Sequence, residues 1–400
     1  MHPAALARDR AGLPGAPVSE RIESLHVATV RAPLPEAIQF GDWVMKHREF
    51  ALVRVRAESG NEGFAFTLSR EGPVAGTIQQ AISHHYEGST VATRDDAARL
   101  FYRCQGSNLA GLASGIGLRA LSIVDLAVHD LLARDAELPI ARWLGGEPRR
   151  LPVTAIIGYP PGAMGPDAVG AQVRELRAAG WRRFKIPIAL PLDYGRDRLL
   201  AAREAAGADA WLGMDAAWVF RSVDDALSFL EDVSEARLAW FEDVFPPGDA
   251  DIVARLRERA DVPIAMGDEQ GGSYYPEALL MRRSVDVVRI DLTCMGGITR
   301  ARPMIDACEA AGTVWAPHMF AHVHSQVFAG LGFTPPVEWG VPDTGVDQFA
   351  DSLTRPIVVD GGLMEPLPVE RGFGPLFNAA WLAEQDHDDP DGLVAELGRR

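Results

Sequence analysis

The second half of the chain repeats one pattern: a short apolar run, a polar residue at its end, then a stretch with helical spacing. The runs lie at 183–188, 211–214, 239–241, 263–266, 287–290 and 314–316, with Val337 last, and helical stretches at 169–179, 224–233, 251–260 and 300–311 fall between them. Lys185 closes the first run. Asp215, Glu242, Asp268 with Glu269, Asp291, His318 and Glu338 close the others, at spacings of 30, 27, 26, 23, 27 and 20 residues. Each spacing is about one strand-plus-helix unit. Strands that alternate with helices build a parallel sheet, and seven or eight units in roughly 200 residues predict a closed barrel. Barrel chemistry gathers at the C-terminal ends of the strands. The polar positions are therefore expected to converge on one site.

The first half has another rhythm. Residues 1–20 read as a loose tail rich in Ala, Pro and Gly. From Ile22 the pattern is strand-like, and 51–56 and 64–67 alternate around the turn 59–63, which predicts a hairpin. Leu121, Val124, Val128 and Leu131 then share one helical face. The expected organisation is an N-terminal α+β domain over 21–150 and a barrel over 151–354. The segment 355–400, with its strand-and-turn stretch 356–373, is expected to rejoin the first domain.

Composition narrows the function classes. A formal net charge of −16 argues against binding a nucleic-acid backbone. Three cysteines without a C-x-x-C pair argue against a disulfide framework or a thiolate zinc site and fit a reducing compartment. No apolar signal segment or membrane-spanning stretch is evident, so the expectation is a cytoplasmic protein without membrane partners.

The polar series sorts by chemistry. One charged residue at a strand end is unremarkable, and an acid there is often a helix cap or a surface group. The series as a whole is what departs from chance. Asp215, Glu242 and Asp268 come from three adjacent strands, and hard carboxylate oxygens without Cys or His suit Mg²⁺. Glu269 is the alternative third ligand, because only one of two neighbours can point inward. Asp291 and His318 end consecutive strands. A lone histidine is more often structural, but a carboxylate that accepts its N–H fixes the tautomer and makes a competent base or acid. Glu338, if protonated, could donate to a developing oxyanion. Lys185 is either a base or an electrostatic stabiliser. His322 and His324 either line the site or pack beneath it.

These residues resemble the enolase superfamily, in its mandelate racemase-like branch, from about Ile22 to Phe377. Trp143-Leu144-Gly145-Gly146 is similar to its domain junction and Phe184-Lys185-Ile186-Pro187 to its K-x-K strand. Met214-Asp215, Trp240-Phe241-Glu242-Asp243 and Met266-Gly267-Asp268-Glu269 resemble its metal-ligand strands. Asp291 through Gly297, Pro317-His318 and Val337-Glu338 resemble the last three. The resemblance implies a modified (β/α)7β barrel with an α+β capping domain, a Mg²⁺ cofactor, removal of the proton α to a substrate carboxylate, and a homo-oligomer. Capping loops would set specificity, with Phe40, Trp43, Thr67 and Arg70 as candidates; ordinary loop packing explains each equally well. Three positions depart from the pattern: Pro187, Ala217 and Cys294 stand where Lys, Asn and Lys are usual. Racemisation needs a base on each face of the α-carbon, whereas elimination of water needs one base and one acid. The departures therefore point to dehydration of an acid sugar to a 2-keto-3-deoxy acid. A racemase or epimerase on the same scaffold and a non-catalytic ligand-binding barrel are the alternatives.

Overall fold

Alternating apolar residues at Val27, Val53, Val55 and Phe66 bury one face after another of three long antiparallel strands. In the computed structural model these are β1 (Glu20–Phe40), β2 (Trp43–Ala57) and β3 (Glu62–Leu68). The residues described are 19–40, 43–267, 274–342, 344–351, 353, 355–374 and 377–397, with backbone alone at 40, 43 and 351. The ladder sets Ala51 opposite Thr67 and Leu52 opposite Phe66, as the hairpin pattern predicts. It breaks between Pro33 and Ile38, where Pro33 and Pro35 lack the N–H groups needed to continue it. β4 (Thr90–Val91) pairs with the start of β1.

The helix Gly115–Asp135 is apolar on nearly all sides and buried from Gly117 to Ala133. A helix of this kind must be covered all round. It packs on β2 and β3 on one side and on the helix Gly297–Ala311 on the other. Close approach requires glycine: a Cβ at Gly63 would lie 2.1 Å from the Ala127 carbonyl oxygen.

The barrel strands are β5 (Leu151–Ile156), β6 (Arg183–Pro187), β7 (Trp211–Asp215), β8 (Trp240–Glu242), β9 (Ile264–Met266), β10 (Val287–Ile290), β11 (Val314–Pro317) and β12 (Val337–Gly340). β5 to β11 are parallel neighbours in sequence order, and β12 closes onto β5 in parallel. This is the modified (β/α)7β barrel with an α+β cap. The series of polar strand ends begins one strand late, because β5 runs into Ile157-Gly158 with no charged residue to mark it. The segment 356–373 also differs from expectation. Its hairpin of β13 (Val359–Asp360) and β14 (Leu363–Met364) pairs with β5 of the barrel. Only further on does β15 (Asp386–Asp388) rejoin the first sheet, beside β1. Among the described residues no helix is long and apolar enough to cross a membrane.

The two sheets are joined through Asp125 of the long helix. Its carboxylate accepts from the Thr299 N–H at 2.9 Å and hydroxyl at 2.6 Å, and so caps the barrel helix Gly297–Ala311. The Ser122 hydroxyl accepts from the Gly296 N–H at 2.7 Å. Gly297 has φ +63, and a Cβ there would lie 2.3 Å from Asp125 Oδ2. Gly297→Ala is therefore expected to cost about 2–4 kcal/mol through overpacking and left-handed strain. A lower midpoint of urea unfolding would show it; an unchanged midpoint would mean that this joint is not tight.

Candidate active site

At the C-terminal mouth of the barrel the inward-facing side chains of five strands meet. Lys185 of β6 places its Nζ 3.0 Å from Glu242 Oε1, 2.7 Å from Glu338 Oε1 and 3.5 Å from Asp215 Oδ2. Arg289 of β10 reaches the same group from below. Its Nε donates to Glu242 Oε1 at 3.0 Å, its Nη2 to Glu338 Oε1, and its Nη1 to the Pro317 carbonyl at 2.8 Å. The guanidinium lies over the Trp240 ring, 4.8 Å from the centroid. Lys185, Arg289, Glu242 and Glu338 are all buried.

Burial at such a cluster makes every charge depend on its partners. Burial alone would lower the Lys185 ammonium, but Glu242, Glu338 and Asp215 carry it well above the ordinary lysine value. Lys185 is thus tied to three carboxylates in this arrangement. Glu338 sits in the same cluster. Burial would raise it, yet Arg289, Lys185 and His318 hold it well below the usual carboxylate range. Its Oε2 accepts from the Met319 N–H at 2.9 Å.

Asp215 and Glu242 end neighbouring strands in register. Burial, opposed by Lys185, raises the Asp215 carboxyl, and Glu242 raises it further. Asp215 Oδ1 accepts from the Ala217 N–H at 2.9 Å. Glu242 Oε2 is buried and has no hydrogen-bond partner among the described residues. A buried carboxylate oxygen without a partner beside a second carboxylate fits a hard divalent cation. Asp268 and Glu269, the two candidates for the third ligand, lie outside the described residues.

The Asp291–His318 pair forms as expected. His318 Nδ1 lies 3.1 Å from Asp291 Oδ2. Asp291 Oδ1 accepts from the Thr293 N–H and hydroxyl, both at 2.8 Å. Burial would raise the Asp291 carboxyl, but the His318 hydrogen bond, the charges of His324 and His318, and Thr293 bring it down to about 2. With Nδ1–H directed at a carboxylate, His318 Nε2 is the basic nitrogen.

His324 and His322 pack beneath the site. His324 Nδ1 donates to the Met319 carbonyl at 2.7 Å and its Nε2 accepts from the Leu292 N–H at 3.1 Å. Those two bonds fix the orientation of its ring. His322 stacks on Phe66 at 5.3 Å, and burial pushes its imidazole down to about 3.

The capping residues divide. Thr67 is not a loop residue: it is buried within β3, with its hydroxyl 3.0 Å from that of Thr293. Arg70 follows β3 in a left-handed conformation, φ 55, near Tyr159, whose phenol burial raises while Arg48, Lys185 and Arg70 oppose the rise. The side chains of Phe40 and Trp43 lie outside the described residues. Sequence reasoning passed over Tyr159 and Arg289. Tyr159 follows β5, near Arg48, Asp215 and Lys185, and its signal was the Gly158-Tyr159-Pro160 turn after a strand. The signal for Arg289 was its place two residues before Asp291, on the same face of β10.

Strained backbone surrounds this mouth. Ala217 and Trp218 follow β7, Asp243 follows β8, and Met319 and Phe320 follow β11, all at φ between 44 and 59. Such residues persist where surrounding packing holds them, and they gather at functional sites.

Comparison with known proteins agrees with this geometry. Residues 22–145 match the mandelate racemase / muconate lactonizing enzyme N-terminal domain, and residues 168–379 match the enolase C-terminal domain-like family. An L-rhamnonate dehydratase from Saccharopolyspora erythraea is 28% identical over 73% of this chain and 73% of its own. A D-galactarolactone cycloisomerase from Agrobacterium fabrum is 26% identical over 72% and 75%. Among solved structures, L-talarate/galactarate dehydratase from Salmonella typhimurium LT2 superposes with a TM-score of 0.78 at 20% identity, covering 96% of this chain and 98% of its own. A racemase from Streptomyces coelicolor A3(2) with bound magnesium gives 0.79 at 22%, covering 90% and 99%.

The depressed Asp291 carboxyl gives a signed expectation. A carboxyl lowered by folding contributes stability that is fully present above its unfolded value, near 4, and lost as pH falls through about 2. The difference in Tm between the native chain and Asp291→Asn should stay constant from pH 7 to 5 and close below pH 4. A gap independent of pH would show that Asp291 is not held ionised by its partners.

Proposed function

The chain belongs to the mandelate racemase / muconate lactonizing enzyme family of the enolase superfamily, and from that premise we propose that it dehydrates an acid sugar, an aldonate or aldarate, to a 2-keto-3-deoxy acid. The observation that carries the reading is the division of roles at the barrel mouth. One histidine is oriented at Nδ1 by a carboxylate, and the lysine facing the acids is tied to three of them. One histidine can serve both steps of an elimination, taking the α-proton and returning it to the leaving hydroxyl, whereas inversion needs a second proton-transfer group on the opposite face of the α-carbon.

Asp215 and Glu242 would hold a magnesium ion, with Asp268 or Glu269 as the third ligand. Magnesium, when bound, supplies Lewis-acid stabilisation of the charge that develops on the substrate carboxylate. The residues of the chain do the rest. His318 Nε2 takes the α-proton, and the electron pair of the C–H bond moves into the carboxylate to give an enediolate. Asp291 stabilises the imidazolium through Nδ1. His318 then gives the proton to the β-hydroxyl, which leaves as water, and the resulting enol becomes the 2-keto acid. Lys185 and Arg289 keep positive charge beside Glu242 and Glu338. The dehydratases among the relatives support the substrate class.

The reading is tested by proton NMR in D₂O with Mg²⁺ and a panel of aldonates, aldarates and D-galactarolactone. A new 2-keto-3-deoxy product supports it. Exchange or inversion at the α-carbon without loss of water would replace it with an epimerase. His318→Asn is expected to lower kcat by about 10³-fold or more while Mg²⁺ affinity stays within about twofold. A His318→Asn protein that turns over at the native rate would remove His318 from the chemistry.

A further inference from the structure

A chain of buried hydrogen bonds runs from the first sheet and its helix to the histidine of the barrel. Arg119, on the helix Gly115–Asp135, donates through Nη1 to Thr67 Oγ1 at 3.1 Å and to the Leu68 carbonyl at 2.8 Å. The hydroxyls of Thr67 and Thr293 are 3.0 Å apart. Thr293 Oγ1 donates to Asp291 Oδ1 at 2.8 Å, and Asp291 Oδ2 pairs with His318 Nδ1 at 3.1 Å. Arg119, Thr67, Thr293 and Asp291 are each at most 3% exposed.

The donors set one direction along this chain. Arg119 can only donate, so the Thr67 oxygen accepts from it; the Thr67 hydroxyl hydrogen has two acceptors in reach, the Leu68 carbonyl at 3.3 Å and, closer, the Thr293 oxygen at 3.0 Å, and the shorter contact extends the chain. The Thr293 oxygen accepts that hydrogen, and its own is directed at Asp291, which as a carboxylate accepts only. A guanidinium at one end and a carboxylate at the other polarise every bond between them in the same sense. The packing also holds Thr67 in place. Gly63, Ala65 and Thr67 share the face of β3 that lies on the long helix.

We propose that Thr67 and Arg119 of the capping domain are positioning residues for the Asp291–His318 pair, acting through the Thr293 hydroxyl. The seat of the capping domain on the barrel then sets the orientation of the base. Asp291 is held at Oδ1 by Thr293, and its other oxygen is thereby aimed at His318 Nδ1. The inference rests on reading His318 as the proton acceptor, but its physical content is a coupling within the protein.

The test is therefore made first without substrate. In protein labelled with ¹⁵N at histidine, the His318 Nδ1–H resonance is assigned by its loss in His318→Asn. Thr67→Val, which keeps the shape of the side chain and removes the hydroxyl, should move that resonance in the same direction as Thr293→Val. Thr67→Ser should return it. The double variant should move it no further than Thr293→Val alone, since both changes break one chain. A Tm within a few degrees of the native chain excludes unfolding as the cause, and Thr67→Ser serves as the folded control. With a substrate in hand, Thr67→Val should lower kcat about 3- to 10-fold and leave KM within twofold. A resonance unmoved by Thr67→Val, or additive shifts in the double variant, would overturn the proposal. If the resonance shifts as expected and no acid sugar turns over, the coupling stands and the proposed substrate class fails.

Discussion

Three carboxylates and two cations share the mouth of this barrel, nearly all of them out of water. Asp215, Glu242 and Glu338 face Lys185 and Arg289 at 2.5–3.5 Å. An uncompensated charge buried this way costs several kcal/mol, so none of the five side chains is independent of the others. Among the described residues of this cluster the acids outnumber the cations, and one oxygen of Glu242 has no hydrogen-bond partner. The cluster is arranged for a further positive charge. The strands, the strained residues after them and the capping domain hold this unbalanced group in one geometry.

Rigidity on the barrel side comes from the strand register. Asp215 and Glu242 are opposite one another in a parallel ladder, so their separation follows from the sheet itself. Arg289 adds a clamp from the next strand but one, with a carbonyl, two carboxylates and an indole as its partners. A planar guanidinium suits such a position, because its donors match several acceptors at once. Lys185, with a single ammonium group, does the same from the opposite side.

The capping domain is held by a helix that belongs to both halves. Gly115–Asp135 buries one side against β2 and β3 and the other against the barrel helix after Asp291. Asp125 caps that barrel helix, and Arg119, one turn and a half earlier, leads toward Asp291. A single rigid element therefore fixes both the docking of the cap and the surroundings of the candidate base.

The sequence by itself determined the barrel and the polar strand ends, because strand and helix periods are local and a strand's end places its residue at the mouth. It located Asp215, Glu242, Asp291 and His318 for the same reason. Protonation was not legible there. The cations that face Glu338, Lys185 and Arg289, lie 153 and 49 positions away in the chain. Arg289 itself went unremarked, since a charged residue inside a strand acquires a role only from what faces it across the barrel. Thr67 read as a loop residue because its meaning depends on Thr293, 226 residues distant. Tertiary structure alone decided these points: the charge of a buried group and the direction of a hydrogen bond are set by neighbours in space, and chain order does not record them.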